Sequence, residues 1–355
     1  MNQSKEKIKL LRLTNCIMHY SLPTYNALAE YYDLTVAHYG NRVDDSLTNF
    51  KQIILTKRNI GSFVYFKENI YQLAKKFDTV LALGDLHILP YVSLGLIPRR
   101  KFAVTYWTIG VSASYNKKFD EDKSLDWIRF RLMDFADSLV FYSEYPIKRY
   151  TEKGVKREKL FVAQNSVFIN NQIEIPKNKK YFLFVGTLYK AKKIYELLEA
   201  YLIAFELNKM IAPLVIVGDG DEKDNIGQWI EEHNLQNHIS IKGPIYDSEE
   251  LCEIHKYAIA SISPGQAGLS VLTSMAYGVP FITTYDAITG GERLNIEHGV
   301  NGFLYDGNIE TLSGLIGKLS FMQEEVHQLG KNAQDHYFNN RQHAFMINSV
   351  IDSVN

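Results

Sequence analysis

Ser263-Pro264-Gly265-Gln266-Ala267-Gly268-Leu269-Ser270, running on through Met275-Ala276-Tyr277-Gly278-Val279-Pro280-Phe281-Ile282, reads as a strand end, a glycine-bearing turn, a helix, a glycine stop and a new apolar strand. Such a turn leaves backbone N–H groups free at a helix N-terminus, where a phosphate or diphosphate binds well. The same rhythm recurs around it. Tyr181–Gly186, Leu214–Gly218, Ile239–Gly243 and Ala258–Ile262 are apolar runs, most of them ending at or near a glycine or proline. Strands separated by helical stretches form a parallel sheet with crossover helices.

The first half has the pattern too. Ile8–Leu13, Leu34–Tyr39, Asp78–Leu83, Lys101–Trp107 and Ser138–Tyr142 read as strands, and Pro23–Tyr31 as a helix. A chain of 355 residues is long for one core and suggests two domains. The expected division is a Rossmann-like domain over 1–166, a polar Pro-containing linker over 167–180, a second such domain over 181–334, and a C-terminal segment over 335–355, with Phe338 to Val354 helical. Ligands in open α/β sheets bind outside the carboxyl ends of the strands, so the turn residues mark the expected sites.

Composition narrows the function. Hydrophobic residues make up 46% and charged residues 22%, with a net charge of −1. Nucleic-acid binders usually carry a basic excess, and none is present. Cys16 and Cys252 give no metal-ligand spacing and no disulfide framework, which fits a reducing cytosol. The apolar run after Met1–Lys7 is too short to span a membrane and lacks a cleavage pattern.

Four motifs carry chemistry. In Gly186-Thr187-Leu188-Tyr189-Lys190-Ala191-Lys192-Lys193 the lysines precede a helix expected from Ile194 to Phe205. They oppose the helix dipole there, a cost that a bound diphosphate removes; a solvated basic turn explains them equally. Val217-Gly218-Asp219-Gly220-Asp221-Glu222 has Lys223 where a dinucleotide fingerprint needs its third glycine. It reads first as a tight turn, and second as an acidic metal-binding pair. Ile241–Tyr246 is another strand end. Thr289-Gly290-Gly291-Glu292-Arg293 places a glutamate after two glycines, either to meet sugar hydroxyls or developing positive charge, or simply to start a helix.

In order, Phe184–Leu188 with Lys192, then Val217–Gly220, then Gly243, then Pro264–Pro280, then Glu297–Leu304 resemble the C-terminal half of family 4 retaining glycosyltransferases with the GT-B fold. The resemblance spans roughly 160 to 320, with Gly154–Asn165 as a lead-in, and the subset it is most similar to is the bacterial surface-polysaccharide type. It implies two Rossmann-like domains across a cleft, with the C-terminal helix returning to the N-terminal domain. It further implies a nucleoside-diphosphate hexose donor, UDP- or GDP-linked, with no cofactor and no metal. Donor contacts would come from Gly186, Thr187, Lys192, Lys193, Gly218, Gly243, Ile245, Pro264, Gly265, Ala267, Gly268, Leu269, Ser270, Thr273 and Glu292. The acceptor, a glycan or lipid-linked glycan, would meet His19, Tyr20, Asp85 and Gly110 at N-domain strand ends. Lys192, Glu292 and His19 are the expected catalytic groups.

The chain departs from the family where Thr187 replaces an arginine, where Gly265 and Thr273 replace two glutamates, and where Ile109 replaces a histidine. Glu292 then takes over part of the acidic role. The missing carboxylates also leave open an inactive homologue that binds nucleotide sugar or assists a partner transferase, and a GT-B epimerase is a further alternative. Lys117-Lys118 through Trp127-Ile128-Arg129-Phe130-Arg131-Leu132 mixes basic and aromatic residues, which suits a peripheral contact with the cytoplasmic face of the inner membrane. Asp120, Glu121, Asp122 and Asp126 dilute that charge, and a helix packed on its own domain is the plainer reading. The expected location is the cytoplasm, with synthesis of capsule, O-antigen or exopolysaccharide as the role.

Overall fold

The structure, a computed structural model, describes residues 7–111, 126–169 and 171–354. Lys117 and Lys118, which open the basic and aromatic stretch, lie outside these residues. The chain forms two compact units, the first from the described parts of 1–111, 122–164 and 343–355, the second from those of 165–342.

In the first unit, β1 (Lys9–Leu13) is buried at every position but Lys9. It continues through α1 (Leu22–Tyr31), β2 (Asp33–His38), β3 (Lys51–Ile54), β4 (Lys57–Ile60), β5 (Phe63–Phe66), α2 (Ile70–Ala74), β6 (Thr79–Leu83), α3 (Leu89–Val92), β7 (Ala103–Thr108), α4 (Asp126–Asp134), β8 (Ser138–Phe141), α5 (Tyr145–Glu152) and β9 (Leu160–Val162). Seven strands form a parallel sheet in the order β3-β2-β1-β6-β7-β8-β9, while β4 and β5 pair with each other as an antiparallel hairpin. Alternate residues feed opposite faces. Leu11, Leu13, Val80 and Val104 enter one core cluster, and Leu10, Leu81, Trp107 and Val140 the other.

The second unit runs β10 (Tyr181–Val185), α6 (Ile194–Leu207), β11 (Leu214–Val217), α7 (Lys223–Glu232), β12 (Ile239–Lys242), α8 (Ser248–Lys256), β13 (Ala258–Ile262), α9 (Leu269–Ala276), β14 (Phe281–Thr284), β15 (Gly302–Tyr305), α10 (Ile309–Leu319) and α11 (Gln323–Asn340). Its six parallel strands lie in the order β12-β11-β10-β13-β14-β15. The direction of winding therefore reverses between β10 and β13, the switch point where open sheets bind ligands.

The last helix, α12 (His343–Val354), packs within the first unit on α1, β7, β8 and β9. The single helix expected over Phe338–Val354 is therefore two. The break at Arg341–Gln342 has no glycine or proline. Instead the Arg341 carbonyl accepts a 2.6 Å bond from the Ser166 hydroxyl, and its guanidinium Nε donates to Asn295. Tertiary partners here override local helix preference.

Candidate active site

Three turns meet at the carboxyl ends of β10, β11 and β13. The turn after β10 is held by Leu188, which is fully buried, and tightens into a 3-10 turn over Lys190–Lys192. Lys193 then enters α6 at φ 54°, a left-handed conformation for a non-glycine residue, and pairs with Glu196 at 3.1 Å. The turn after β11 locks onto it. The Leu188 amide donates to the Asp219 carbonyl at 2.9 Å, and the Glu222 amide donates to the Leu188 carbonyl at 3.0 Å. A Cβ at Gly218 would lie 1.9 Å from the Gly186 carbonyl oxygen, and one at Gly220 would lie 2.4 Å from that of Leu188. Asp219 pairs with Lys223 at 3.4 Å. The Gly-Asp-Gly turn thus serves close approach of two backbones, the first of its two sequence readings.

That contact carries a prediction. Gly218 sits at φ 151° against backbone rather than a flexible side chain, so Gly218→Ala must push the β10 and β11 turns apart. We expect a loss of about 2–4 kcal/mol in denaturant unfolding, in the range of overpacking plus backbone strain. A variant as stable as wild type would refute the tight apposition.

Lys192 is 8% exposed. Its Nζ lies over Gly186, 3.4 Å from where a Cβ there would stand. Among the described residues the Lys192 ammonium makes no ion pair and no hydrogen bond. Burial pulls its ammonium down to about 8, and the negative charge of Glu292 props it up in part. A buried cation without a hydrogen-bonded counterion is costly.

The loop after β13 lies on the same turn. The Gly265 amide donates to the Lys192 carbonyl at 3.2 Å, and a Cβ at Gly265 would lie 2.2 Å from the Ala191 carbonyl oxygen. The Ala267 amide donates to Ile288 at 2.8 Å. Ser263 and Pro264 are anchored through their carbonyls by the hydroxyls of Thr283 and Thr284, and Tyr189 donates to the Gln266 side chain. Two of the loop amides expected to face a diphosphate, those of Gly265 and Ala267, are thus engaged inside the protein. Among the described residues the amides of Gly268, Leu269 and Ser270, at the start of α9, donate to nothing. Thr273 turns its hydroxyl back to the Leu269 carbonyl at 3.1 Å.

Glu292 is 4% exposed and begins a 3-10 turn over Glu292–Asn295. Its carboxylate accepts from Asn165 at 2.6 Å, from the Thr289 hydroxyl at 3.0 Å and from the Gly290 amide at 2.8 Å. Asn295 donates to the Glu292 carbonyl at 2.8 Å and accepts from Arg341, with His336 3.1 Å away. Asn165, Asn295, His336 and Arg341 were missing from the sequence reading. Their only signal there was Asn165 closing the lead-in segment. At the outer strands, a Cβ at Gly243 would meet nothing, and Ile245 is half-buried.

In the first unit, His19 and Tyr20 follow β1, are exposed, and pack their rings edge to face at 5.3 Å. Asp85 follows β6 and contacts the His87 ring at 2.9 Å. Gly110 follows β7 at φ 75°, where a Cβ would lie 2.6 Å from the Phe141 ring. These strand ends are neighbours, since β6 lies between β1 and β7. His87 is a further group beside Asp85 that the sequence reading did not single out. Among the described residues no helix is long and apolar enough to cross a membrane.

Residues 166–336 match the family model of glycosyl transferases group 1. The chain is 26% identical over 241 residues to poly(glycerol-phosphate) alpha-glucosyltransferase of Bacillus subtilis, covering 63% of this chain and 34% of that protein. It is 25% identical over 179 residues to poly(ribitol-phosphate) alpha-N-acetylglucosaminyltransferase of Staphylococcus aureus, covering 50% and 36%. It thus spans about a third of the length of these relatives. Anabaena HepE, solved with UDP and glucose, superposes with a TM-score of 0.72 at 16% identity, covering 98% of this chain and 99% of that one. A point mutant of S. aureus TarM, solved with fondaparinux, alpha-GlcNAc-glycerol and UDP, gives 0.71 at 12% identity, covering 98% and 100%. These likenesses show the fold, the GT-B pair of Rossmann-like units expected from the sequence.

Proposed function

Since the second unit carries a group 1 glycosyl transferase domain, we propose that the chain is a glycosyltransferase that moves a hexose-type sugar from a nucleoside-diphosphate sugar to a cell-surface glycan or polymer acceptor. One observation carries this reading. Lys192 is a buried cation lacking a hydrogen-bonded counterion at the switch point of the second sheet. A diphosphate there would complete it and would find the free amides at the start of α9 as further donors. UDP is the favoured nucleotide, because HepE and TarM were both solved with it.

In the reaction the bond from the anomeric carbon to the diphosphate oxygen breaks, and the acceptor oxygen bonds to that carbon. The acceptor proton passes to the departing phosphate oxygen. Lys192 and the α9 amides hold the charge that develops on the leaving group, and Lys193 adds to the basic edge. Glu292, fixed by Asn165, Thr289 and Gly290, supplies a negative charge that favours the charged form of Lys192. Its position beside the donor loop also suits it to the sugar side of the site. His19 and Asp85 would meet the acceptor hydroxyl. Retention of anomeric configuration rests on the family resemblance, and proton transfer to the departing phosphate on the same face of the sugar suits it.

The test is a thermal-shift titration with UDP, UDP-glucose, GDP and dTDP. A nucleotide at a hundred times its dissociation constant stabilises by about 2.7 kcal/mol. UDP species should shift the transition, and no shift with any of the four would remove the donor site.

A further inference from the structure

The hairpin β4–β5 is the one antiparallel pair among the described strands, and it lies outside the seven-stranded sheet. Its cross-strand register pairs Asn59 with Val64 and Lys57 with Phe66, so these share one face, while Arg58 with Tyr65 and Ile60 with Phe63 share the other. The first face is anchored: Phe66 stacks on Tyr91 at 5.2 Å and lies 5.6 Å from the Tyr39 ring. The other faces outward, with Ile60 65% and Phe63 41% exposed. The Arg58 side chain makes no ion pair or hydrogen bond among the described residues, and the exposed Lys67 follows directly after β5.

From Lys51 to Lys67 the chain contains Lys51, Lys57, Arg58 and Lys67 and no acidic residue. Lys51 is paired with Asp33 at 3.0 Å, and two carboxylates near the hairpin are hydrogen-bonded. Glu68 accepts from the Thr56 amide and hydroxyl, each at 2.8 Å, and Asp85 contacts His87. The hairpin is also tied to the expected acceptor end of the sheet. The Val64 amide donates to the His87 carbonyl at 2.7 Å, and the Phe63 ring lies 6.4 Å from that of His87.

We propose that the outer face of this hairpin is a docking strip for a polyanionic, phosphodiester-linked acceptor chain, which it holds beside Asp85 and His87. The inference rests on the glycosyltransferase reading and names its acceptor class. Arg58 and Lys67 would neutralise phosphates, and Ile60, Phe63 and Tyr65 would cover the carbon segments between them. A neutral glycan would use only the second set.

The experiment measures binding of purified poly(glycerol phosphate) chains, glycerol 3-phosphate and neutral dextran by the full chain. Wild type and an Arg58→Ser, Lys67→Ser double variant are compared across about 50 to 200 mM salt. The two substitutions lie on exposed positions, and an unchanged melting temperature and UDP-induced shift verify fold and donor site. The polymer should bind wild type, and the double variant should bind it about tenfold more weakly at about 50 mM salt, with a shallower salt dependence. Dextran and the monomer should bind far more weakly than the polymer. The proposal is overturned if the double variant binds polymer as wild type does, or if dextran or glycerol 3-phosphate binds as tightly as the polymer. Loss of the UDP shift in wild type would instead overturn the donor reading, a separate readout.

Discussion

Lys192→Met should make the ligand-free protein more stable while sharply weakening its response to nucleotide. The two effects have one cause. Moving the pKa of Lys192 from its ordinary 10.5 to about 8 corresponds to a cost of about 3 kcal/mol for the charged form. Methionine has similar length and no charge, so a large part of that cost disappears. Calorimetry or denaturant unfolding at pH 7 should therefore show a gain, discounted for imperfect packing to about 1–3 kcal/mol. With the charge gone, the leaving diphosphate loses its buried cation. Turnover per donor bound should fall by about a hundred- to a thousandfold, as for other preorganised charge-stabilising donors.

The sign of the pH dependence follows. The folded pKa lies below the unfolded one, so the unfolded chain binds more protons between pH 8 and 10.5. Stability of the ligand-free wild type should rise across that window and lose the gain as pH falls through about 8. Nucleotide binding needs the charged lysine, so UDP affinity should decline above about pH 8. Lys192→Met should flatten both profiles. A methionine variant that is less stable than wild type and binds UDP equally well would show that Lys192 faces no anion.

The sequence made this site legible in part, for physical reasons. Strands such as Leu214–Val217 and Ala258–Ile262 are buried along their whole length, so they stand out as unbroken apolar runs. The short edge strand Lys51–Ile54 and the first hairpin strand Lys57–Ile60 are largely exposed and mixed in polarity, and they left no such run, while Phe63–Phe66 is apolar but only four residues long. Gly302–Tyr305 was visible as a motif but not as a strand. At the site, Lys192 could be recognised as a lysine before a helix, but its burial comes from Gly186 beneath it and from packing that no local pattern encodes. Gly265 illustrates the same limit. Its glycine is required by the Ala191 carbonyl 2.2 Å from a would-be Cβ, and its amide is used inside the protein. The sequence showed that a glycine turn was there and not which of its amides remained free. Asn165 and Arg341 lie 127 residues before and 46 residues after the groups they contact, a pairing that only the folded chain reveals.

Glu292→Gln and Glu292→Ala should separate what this carboxylate does by charge from what it does by hydrogen bonding. Its two oxygens accept from three donors, Asn165, Thr289 and the Gly290 amide. Alanine strands all three in a buried pocket. Each unsatisfied donor costs about 1–3 kcal/mol, so a loss of about 3–5 kcal/mol is expected from Glu292→Ala, and its lost activity would say little about chemistry. Glutamine keeps the shape. Its carbonyl can serve Thr289 and Gly290, and its amide meets Asn165, whose own amide need only turn over to present oxygen. The stability loss should then stay within about 1–2 kcal/mol. The charge is nevertheless gone, and with it the interaction that raises the pKa of Lys192. In Glu292→Gln the lysine should therefore lose its proton at lower pH than in wild type, and the fall in UDP affinity should begin below pH 8. The measurement is the UDP dissociation constant from pH 6 to 9.5 for wild type and Glu292→Gln, with Lys192→Met as the flat reference. An unmoved midpoint in Glu292→Gln would mean that the Glu292 charge does not reach Lys192. Any activity lost by that variant would then have to arise at the sugar, on the far side of the bond that breaks.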